Sequence, residues 1–231
     1  MKKIIILLML LPVFATAQEE NNKRASLFFG TSQGMSFVLR GANLAHNDNP
    51  FSPKPGYSYK YSVGVNLLSK SGKSFSDFTL SYRSDGSVLD NIIDTRPIKK
   101  GTIKANDRFN FVSLAYSYGR YLNQLWGNKT FVKGGMELSY VLNRKTTTKY
   151  SDGTPKYKEK VKGNQLAYNN VISTSPTFLL SYGMELDKPA FGFGNKSQIS
   201  MDFTYDYYFA GFMPSAAHNN LGVYVSYKIL F

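Results

Sequence analysis

The sequence contains no cysteine, one tryptophan and two histidines. Without cysteine there is no disulfide frame, no thiolate metal site and no lipid-bearing cysteine. His46 and His218 are far apart and have no carboxylates at ligand spacing, so the chain has no metal site that histidine could build. Glycines at phosphate-cradling spacing are missing as well. Gly192 and Gly194 in FGFGNK lack the full motif and a following helix, and read as a turn. Acids are few, 15 against 28 lysines and arginines, for a formal charge of +13. Long apolar runs are nearly absent too. The one that exists follows Lys2 and Lys3, is short for a bilayer crossing, and ends on the small-x-small site Ala15-Thr16-Ala17. Residues 1–17 therefore read as a secretory signal peptide cleaved before Gln18. Its two lysines leave with it, so the formal charge of residues 18–231 falls to +11. Those residues fit one domain, a length that single all-β barrels reach.

What is abundant is aromatic: 17 Tyr and 17 Phe, with 19 Gly, in a chain of negative mean hydropathy. Alternation carries that aromatic load. Period-2 patterning marks eight segments, roughly 24–39, 57–69, 74–85, 108–121, 129–144, 173–187, 196–210 and 219–231. In the seventh, Ile199, Met201, Phe203, Tyr205, Tyr207 and Phe209 share one face, and Ser200, Asp202, Thr204, Asp206 and Tyr208 the other. The sixth opposes Phe178, Leu180, Tyr182, Met184 and Leu186 to Thr177, Leu179, Ser181, Gly183 and Glu185. The fourth sets Val112, Leu114, Tyr116 and Tyr118 against Ser113, Ala115, Ser117 and Gly119. The first is blurred by Gly30 and Gly34.

Connections between these segments alternate long and short, from GANLAHNDNPFSPKPG to SKSGK and NQLWGN. An even number of amphipathic strands joined by alternately long and short loops is the pattern of a transmembrane barrel, with short turns and both ends in the periplasm and long loops outside. Large apolar side chains on one face and Gly, Ser and Thr on the other fit lipid outside and a crowded lumen inside. The expected fold is an all-β, eight-stranded, antiparallel up-and-down transmembrane β-barrel in the cell outer membrane.

The last strand, with Val223, Val225, Tyr227, Ile229 and terminal Phe231, resembles the C-terminal signature by which the barrel-assembly machinery recognises its clients. The whole of residues 18–231 resembles the small eight-stranded barrels of the OmpA transmembrane and OmpX type, and the Thr16-Ala17-Gln18 region is similar to signals common in Bacteroidota. The resemblance implies fold and location and no activity. With nothing after Phe231, no periplasmic domain is expected to follow the barrel.

Parity places Lys60, Asp77, Arg83, Lys133, Glu137, Glu185, Asp202, Asp206 and Lys228 in the lumen, five acids against four bases. Charges held away from water persist when paired, and strand direction predicts the pairs Lys133–Glu185 and Asp202–Lys228. An eight-stranded barrel is just wide enough for side chains to fill it, so these residues are expected to plug the lumen, with a narrow channel as the alternative. The connection 144–172 holds Arg144, Lys145, Lys149, Lys156, Lys158, Lys160 and Lys162 against Asp152 and Glu159. It reads either as a solvated hairpin running past the membrane or as a site for phosphate or carboxylate groups.

The partners expected of an exported basic chain are outer-membrane lipid and lipopolysaccharide, the assembly machinery during insertion, and other outer-membrane proteins; nucleic acid is not expected. No cofactor is implied. The function expected is non-enzymatic: recognition or adhesion through outer loops, or service as an accessory subunit of a larger outer-membrane complex. A distant alternative is a lipid A enzyme using His46 or His218 with Ser84 and Asp85, since a His-Ser-acid grouping can activate a hydroxyl.

Overall fold

The structure, a computed structural model, describes residues 24–40, 52–93, 102–151, 157–162, 174–187, 194–206 and 218–231. Residues 1–17, His46, Lys156, Gly192, Tyr207 and Phe209 lie outside them. Nine strands occur among the described residues: β1 (Ala25–Arg40), β2 (Ser52–Leu68), β3 (Ser74–Ile93), β4 (Thr102–Leu125), β5 (Asn128–Tyr150), β6 (Tyr157–Lys162), β7 (Thr174–Leu186), β8 (Lys196–Asp206) and β9 (His218–Leu230). Neighbours run β4-β3-β2-β1-β9-β8-β7-β5, and β4 also pairs β5, so eight antiparallel strands close into a ring without an open edge. The sixth, β6, pairs with β5 over Asn143–Thr148 and stands outside the ring.

Short turns gather at one end. Trp126 and Gly127 have φ of 50° and 77°, the left-handed pair that a two-residue hairpin needs to match strand twist. Between β2 and β3 the Gly72 amide donates to the Ser69 carbonyl at 3.0 Å, and Gly72 has φ of 66°. Gly194, with φ of 85°, precedes Asn195, whose amide donates to the Leu230 carbonyl. We call this the short-turn end and the other the long-loop end.

The wall is inverted relative to a water-soluble barrel. Leu114 is 66% exposed, Leu138 58%, Leu180 56% and Val225 60%, whereas Ser81, Ser117, Ser139, Thr177, Ser181 and Thr204 are buried. Along β9, outward Val223, Val225, Tyr227 and Ile229 alternate with inward Gly222, Tyr224 and Lys228. Phe231 packs its ring edge-on against Phe29 at 5.8 Å.

Four strands outrun their sequence signal at the long-loop end, the first of them β2, which begins at Ser52 instead of 57. From a pattern ending near residue 85, β3 continues to Ile93; β4 begins at Thr102 instead of 108; and β5 continues to Tyr150, where β6 joins it. These extensions keep their ladder hydrogen bonds but leave the apolar wall behind, so lipid no longer imposes the alternation by which strands are recognised. The result is a protruding sheet at the long-loop end, built from Ser52–Pro55 of β2 and the adjoining parts of β3, β4, β5 and β6.

Candidate functional site

Side chains at alternate positions of eight strands converge on the lumen, and all nine charges expected there point into it. At the short-turn end, Glu185 accepts from Lys196 at 2.8 Å, from Gln198 at 3.1 Å and from the Tyr121 hydroxyl. A cavity of about 540 Å³ opens beside it, lined by Arg24, Tyr121, Lys129, Glu185, Lys196 and Phe231 among others.

Above this mouth lie inward aromatics where small residues were expected. Phe28 stands opposite Gly64, Phe75 opposite Gly119, and Phe131 opposite Gly183, each pair facing across adjacent strands. A Cβ built on Gly64, Gly119 or Gly183 would come within 2.6, 2.3 or 2.6 Å of the facing ring, so each glycine makes the space its phenylalanine fills. Phe75 and Phe131 meet edge-to-face at 5.4 Å, and the Lys228 ammonium lies 4.4 Å from the centre of the Phe28 ring. Rings and a cation thus fill this level of the lumen.

Next comes Asp77, which receives Lys228 at 2.9 Å, Lys133 at 3.6 Å and the Asn66 amide at 2.8 Å. Asp202 is held by the Ser200 and Ser226 hydroxyls. The expected pairs Lys133–Glu185 and Asp202–Lys228 are not formed. Register sets Lys133 opposite Ser181 and Lys228 opposite Gln198, four residues from the expected acids, or about 13 Å along a strand. The long cations reach across the narrow lumen to β3 instead.

The fourth group is centred on Arg83, whose Nη2 is 2.9 Å from Asp206 and whose Nε is 3.1 Å from Asp85, with Phe111 stacked on the guanidinium at 4.7 Å. Glu137 pairs with Lys60 and accepts from Ser139. The Tyr224 hydroxyl donates to Asp85 at 2.7 Å, while Asn220 and Thr177 donate to Asp206. Every charge here has an opposite partner, the condition under which buried ions are tolerated.

Asp85, Lys196, Tyr121 and the inward phenylalanines were not expected in the lumen. Glycine at a facing register position is the signal that could have found the three phenylalanines, but it needs the register first. The His-Ser-Asp reading is not supported by the geometry. Asp85 is committed to Arg83 inside the barrel, while Ser84 accepts from Arg108 at 3.3 Å on the opposite side of the wall. His46 is outside the described residues, and His218 opens β9. Among the described residues no group of acids and histidines could hold a metal ion.

Of the basic loop residues, Arg144 lies over Phe109 at 5.4 Å on the lumen side. Lys145, Lys149, Lys158 and Lys160 are exposed, and Lys162 stands opposite Asn143 at the end of β6. Below them the outward face of β2–β4 carries tyrosines: Tyr57, Tyr59 and Tyr61 stack in sequence at 6.1 and 5.7 Å, and Tyr82 lies 6.3 Å from Tyr59.

No protein-family model matches the chain, and no curated protein matches it. The chain has the architecture of the small eight-stranded barrels. Among solved structures it is similar to Ail, the attachment invasion locus protein of Yersinia pestis, in complex with the heparin analogue sucrose octasulfate. The identity is 8%, covering 90% of this chain and 99% of that one, with a TM-score of 0.44. It is also similar to Neisserial surface protein A, at 10% identity over 90% and 99% of the two chains with a TM-score of 0.40. The translocator domain of the autotransporter NalP from Neisseria meningitidis follows at 9% identity, 99% and 96% coverage and a TM-score of 0.30.

Proposed function

We propose that this chain is an integral outer-membrane β-barrel without enzymatic activity, whose long-loop end faces the cell exterior and serves in recognition or adhesion. The observation that carries the reading is the contrast between a lumen filled by ion pairs and rings and a basic sheet projecting from one end. A closed barrel with a polar interior and an apolar exterior is the arrangement that satisfies every backbone group inside lipid. A filled lumen leaves the projecting sheet as the surface available to partners. On this reading residues 1–17 direct export, and Val223, Val225, Tyr227, Ile229 and Phe231 present the strand that the assembly machinery takes up.

Two measurements test it. In planar bilayers the purified protein should give no stable single-channel steps; steps whose size changes in Glu137→Gln would make it a narrow channel. In intact cells, a cysteine replacing Lys158 should react with a membrane-impermeant thiol reagent, and reaction only after the outer membrane is permeabilised would reverse the orientation. Native gels after mild detergent extraction add a further distinction. One small species fits recognition by the barrel alone, and a high-mass assembly makes the same face a docking surface for another outer-membrane protein.

A further inference from the structure

The outward face of β2–β6 changes character in steps that the strand register makes explicit. Val63, Leu80, Leu114 and Leu138 form one row across four strands. Two residues nearer the long-loop end the row is Tyr61, Tyr82, Val112 and Tyr140, and the next is Tyr59, Ser84, Asn110, Asn143 and Lys162. Beyond that come Arg108, Lys145 and Lys160 side by side on β4, β5 and β6, and farther still Lys104 opposite Lys149. Hydrocarbon gives way to phenol, then amide and hydroxyl, then cations.

An irregularity in β5 puts those cations on the outward face. Phe111 pairs with Val141 while Asn110 pairs with Asn143, so Leu142 is an extra residue and parity on β5 switches there. Before it Leu138 and Tyr140 face outward; after it Asn143 does, its side-chain oxygen accepting from the amide of outward Asn110 at 2.8 Å. Lys145 therefore joins Arg108 on the outward face. Asp107 and Glu159, the acids of β4 and β6 here, occupy the intervening register positions, together opposite Thr146, while Asp90 of β3 lies four residues beyond Gly86, the residue opposite Arg108. Without the extra residue, Lys145 and Lys149 would fall on the side toward the barrel axis.

Arg108 is fixed in place. Its Nη1 donates to Ser84 Oγ at 3.3 Å and its Nη2 to the Tyr57 carbonyl at 3.4 Å, and its guanidinium lies 5.8 Å from the centre of the Tyr59 ring. Lys145 and Lys160 stand beside it, exposed and without an ion pair among the described residues. From Val112, the last apolar residue of β4's wall, to Arg108 is about 13 Å along a strand, and less along the membrane normal once strand tilt is counted. At a tilt of about 40° that is about 10 Å along the normal, so the backbone of the row stands just outside a headgroup layer roughly 5–8 Å thick, and its long side chains reach back into that layer, as the Arg108 guanidinium does toward Tyr59.

We propose that Arg108, Lys145 and Lys160 form a binding site for the phosphate of a phosphorylated glycolipid in the surrounding outer leaflet, with Tyr59, Tyr61 and Tyr82 beside its acyl chains. This rests on the membrane orientation proposed above and adds to it a ligand and a set of residues. Continuity with the lipid-facing wall selects a lipid over a soluble polyanion, because the row faces sideways over the bilayer and adjoins tyrosines at the boundary where amphipathic rings settle. Charge complementarity selects a phosphorylated headgroup, which Arg and Lys bind by charge-assisted hydrogen bonds.

The test uses the full folded chain in detergent, titrated with bis-phosphorylated lipid A or with lipid A stripped of both phosphates, and native mass spectrometry to count retained lipid. Retention should depend on phosphate. Each of Lys145→Gln and Lys160→Gln should weaken it about fivefold, from the typical contribution of one cation near an anionic surface. Lys129→Gln, at the short-turn end, should leave it unchanged. Both tested lysines are exposed and have no ion pair among the described residues, so the double variant keeps its fold; Arg108→Gln is read only where the heat-dependent gel shift of the folded barrel survives. Equal retention of both lipids by the wild type, or unchanged retention in the double variant, overturns the proposal. So does a soluble sulfated oligosaccharide that needs Lys145 and Lys160 while lipid A does not, an outcome that leaves the recognition reading standing. Labelling of residue 158 only after permeabilisation removes the recognition reading itself.

Discussion

The same three strands, β3, β4 and β5, live in two environments, and their charges are handled in opposite ways. Inside the barrel, Arg83 of β3 is buried and has Asp85, Asp206 and Glu137 around it. Beyond the barrel, Lys145 and Lys149 of β5 are exposed and show no ion pair among the described residues. Water and lipid phosphates can solvate the second set, whereas nothing but protein can solvate the first. A charge in the lumen is therefore structural, because its removal strands its partners, and a charge on the sheet is free to serve a ligand.

The largest consequence follows for Arg83. Replacing it with Leu leaves Asp85 and Asp206 buried without their cation, and breaking a buried pair by removing one partner typically costs about 3–5 kcal/mol. Urea unfolding in detergent, followed by the gel shift between folded and unfolded barrel, should show a loss of that order. A loss below about 1 kcal/mol would mean that water reaches the cluster and that the lumen is open at this level.

On the outer wall the expected cost is somewhat smaller. Leu180 and Phe203 are 56% and 41% exposed and stand opposite each other on β7 and β8. Arg at either position should cost about 2–4 kcal/mol when measured in bilayers, the value for a cation near the membrane midplane. The same substitution at Thr147 of the protruding sheet should be close to neutral, and equal costs at both places would remove the distinction between wall and sheet.

Between these lies the packing of rings on glycine. Gly119→Ala places a Cβ against Phe75, which is wedged by Phe131 at 5.4 Å and Tyr121 at 5.1 Å and has little room to yield. Overpacking of this kind typically costs about 1–3 kcal/mol. Pairing Gly119→Ala with Phe75→Leu should recover part of the loss, a coupling that a general intolerance of Ala in the strand would not produce.

What the sequence makes legible follows the same division. Each lipid-facing row is visible as alternation, because lipid demands an apolar residue at every second position; hence eight strands and nine lumen charges can be read without coordinates. Lumen partners cannot, since Lys133 and Lys228 choose Asp77 across the barrel through a register that no single strand records. The inward Phe28, Phe75 and Phe131 are equally hidden, each looking like a fault in its own strand's pattern until the facing glycine is known. β6, with its sequence YKEKVK, lies beyond the hydrocarbon and so has no apolar period to reveal it.

The smallest effect is expected where the sequence is most conspicuous. Lys158 and Lys160 are exposed on β6, and surface substitutions away from packed features usually change stability by less than about 0.5 kcal/mol. Lys158→Ala with Lys160→Ala should accordingly leave urea unfolding unchanged. A second, opposite consequence is available, because β6 carries these lysines on a strand that joins the sheet on its β5 side, and charged side chains on such strands discourage pairing with another chain. If that is their main role, the double variant should associate into larger species on size-exclusion chromatography with its lipid retention intact. If the cations serve a phosphate, the double variant should stay monodisperse and lose lipid instead. Stability is silent on both, so the pair of readouts, and not the unfolding curve, decides what the basic strand is for.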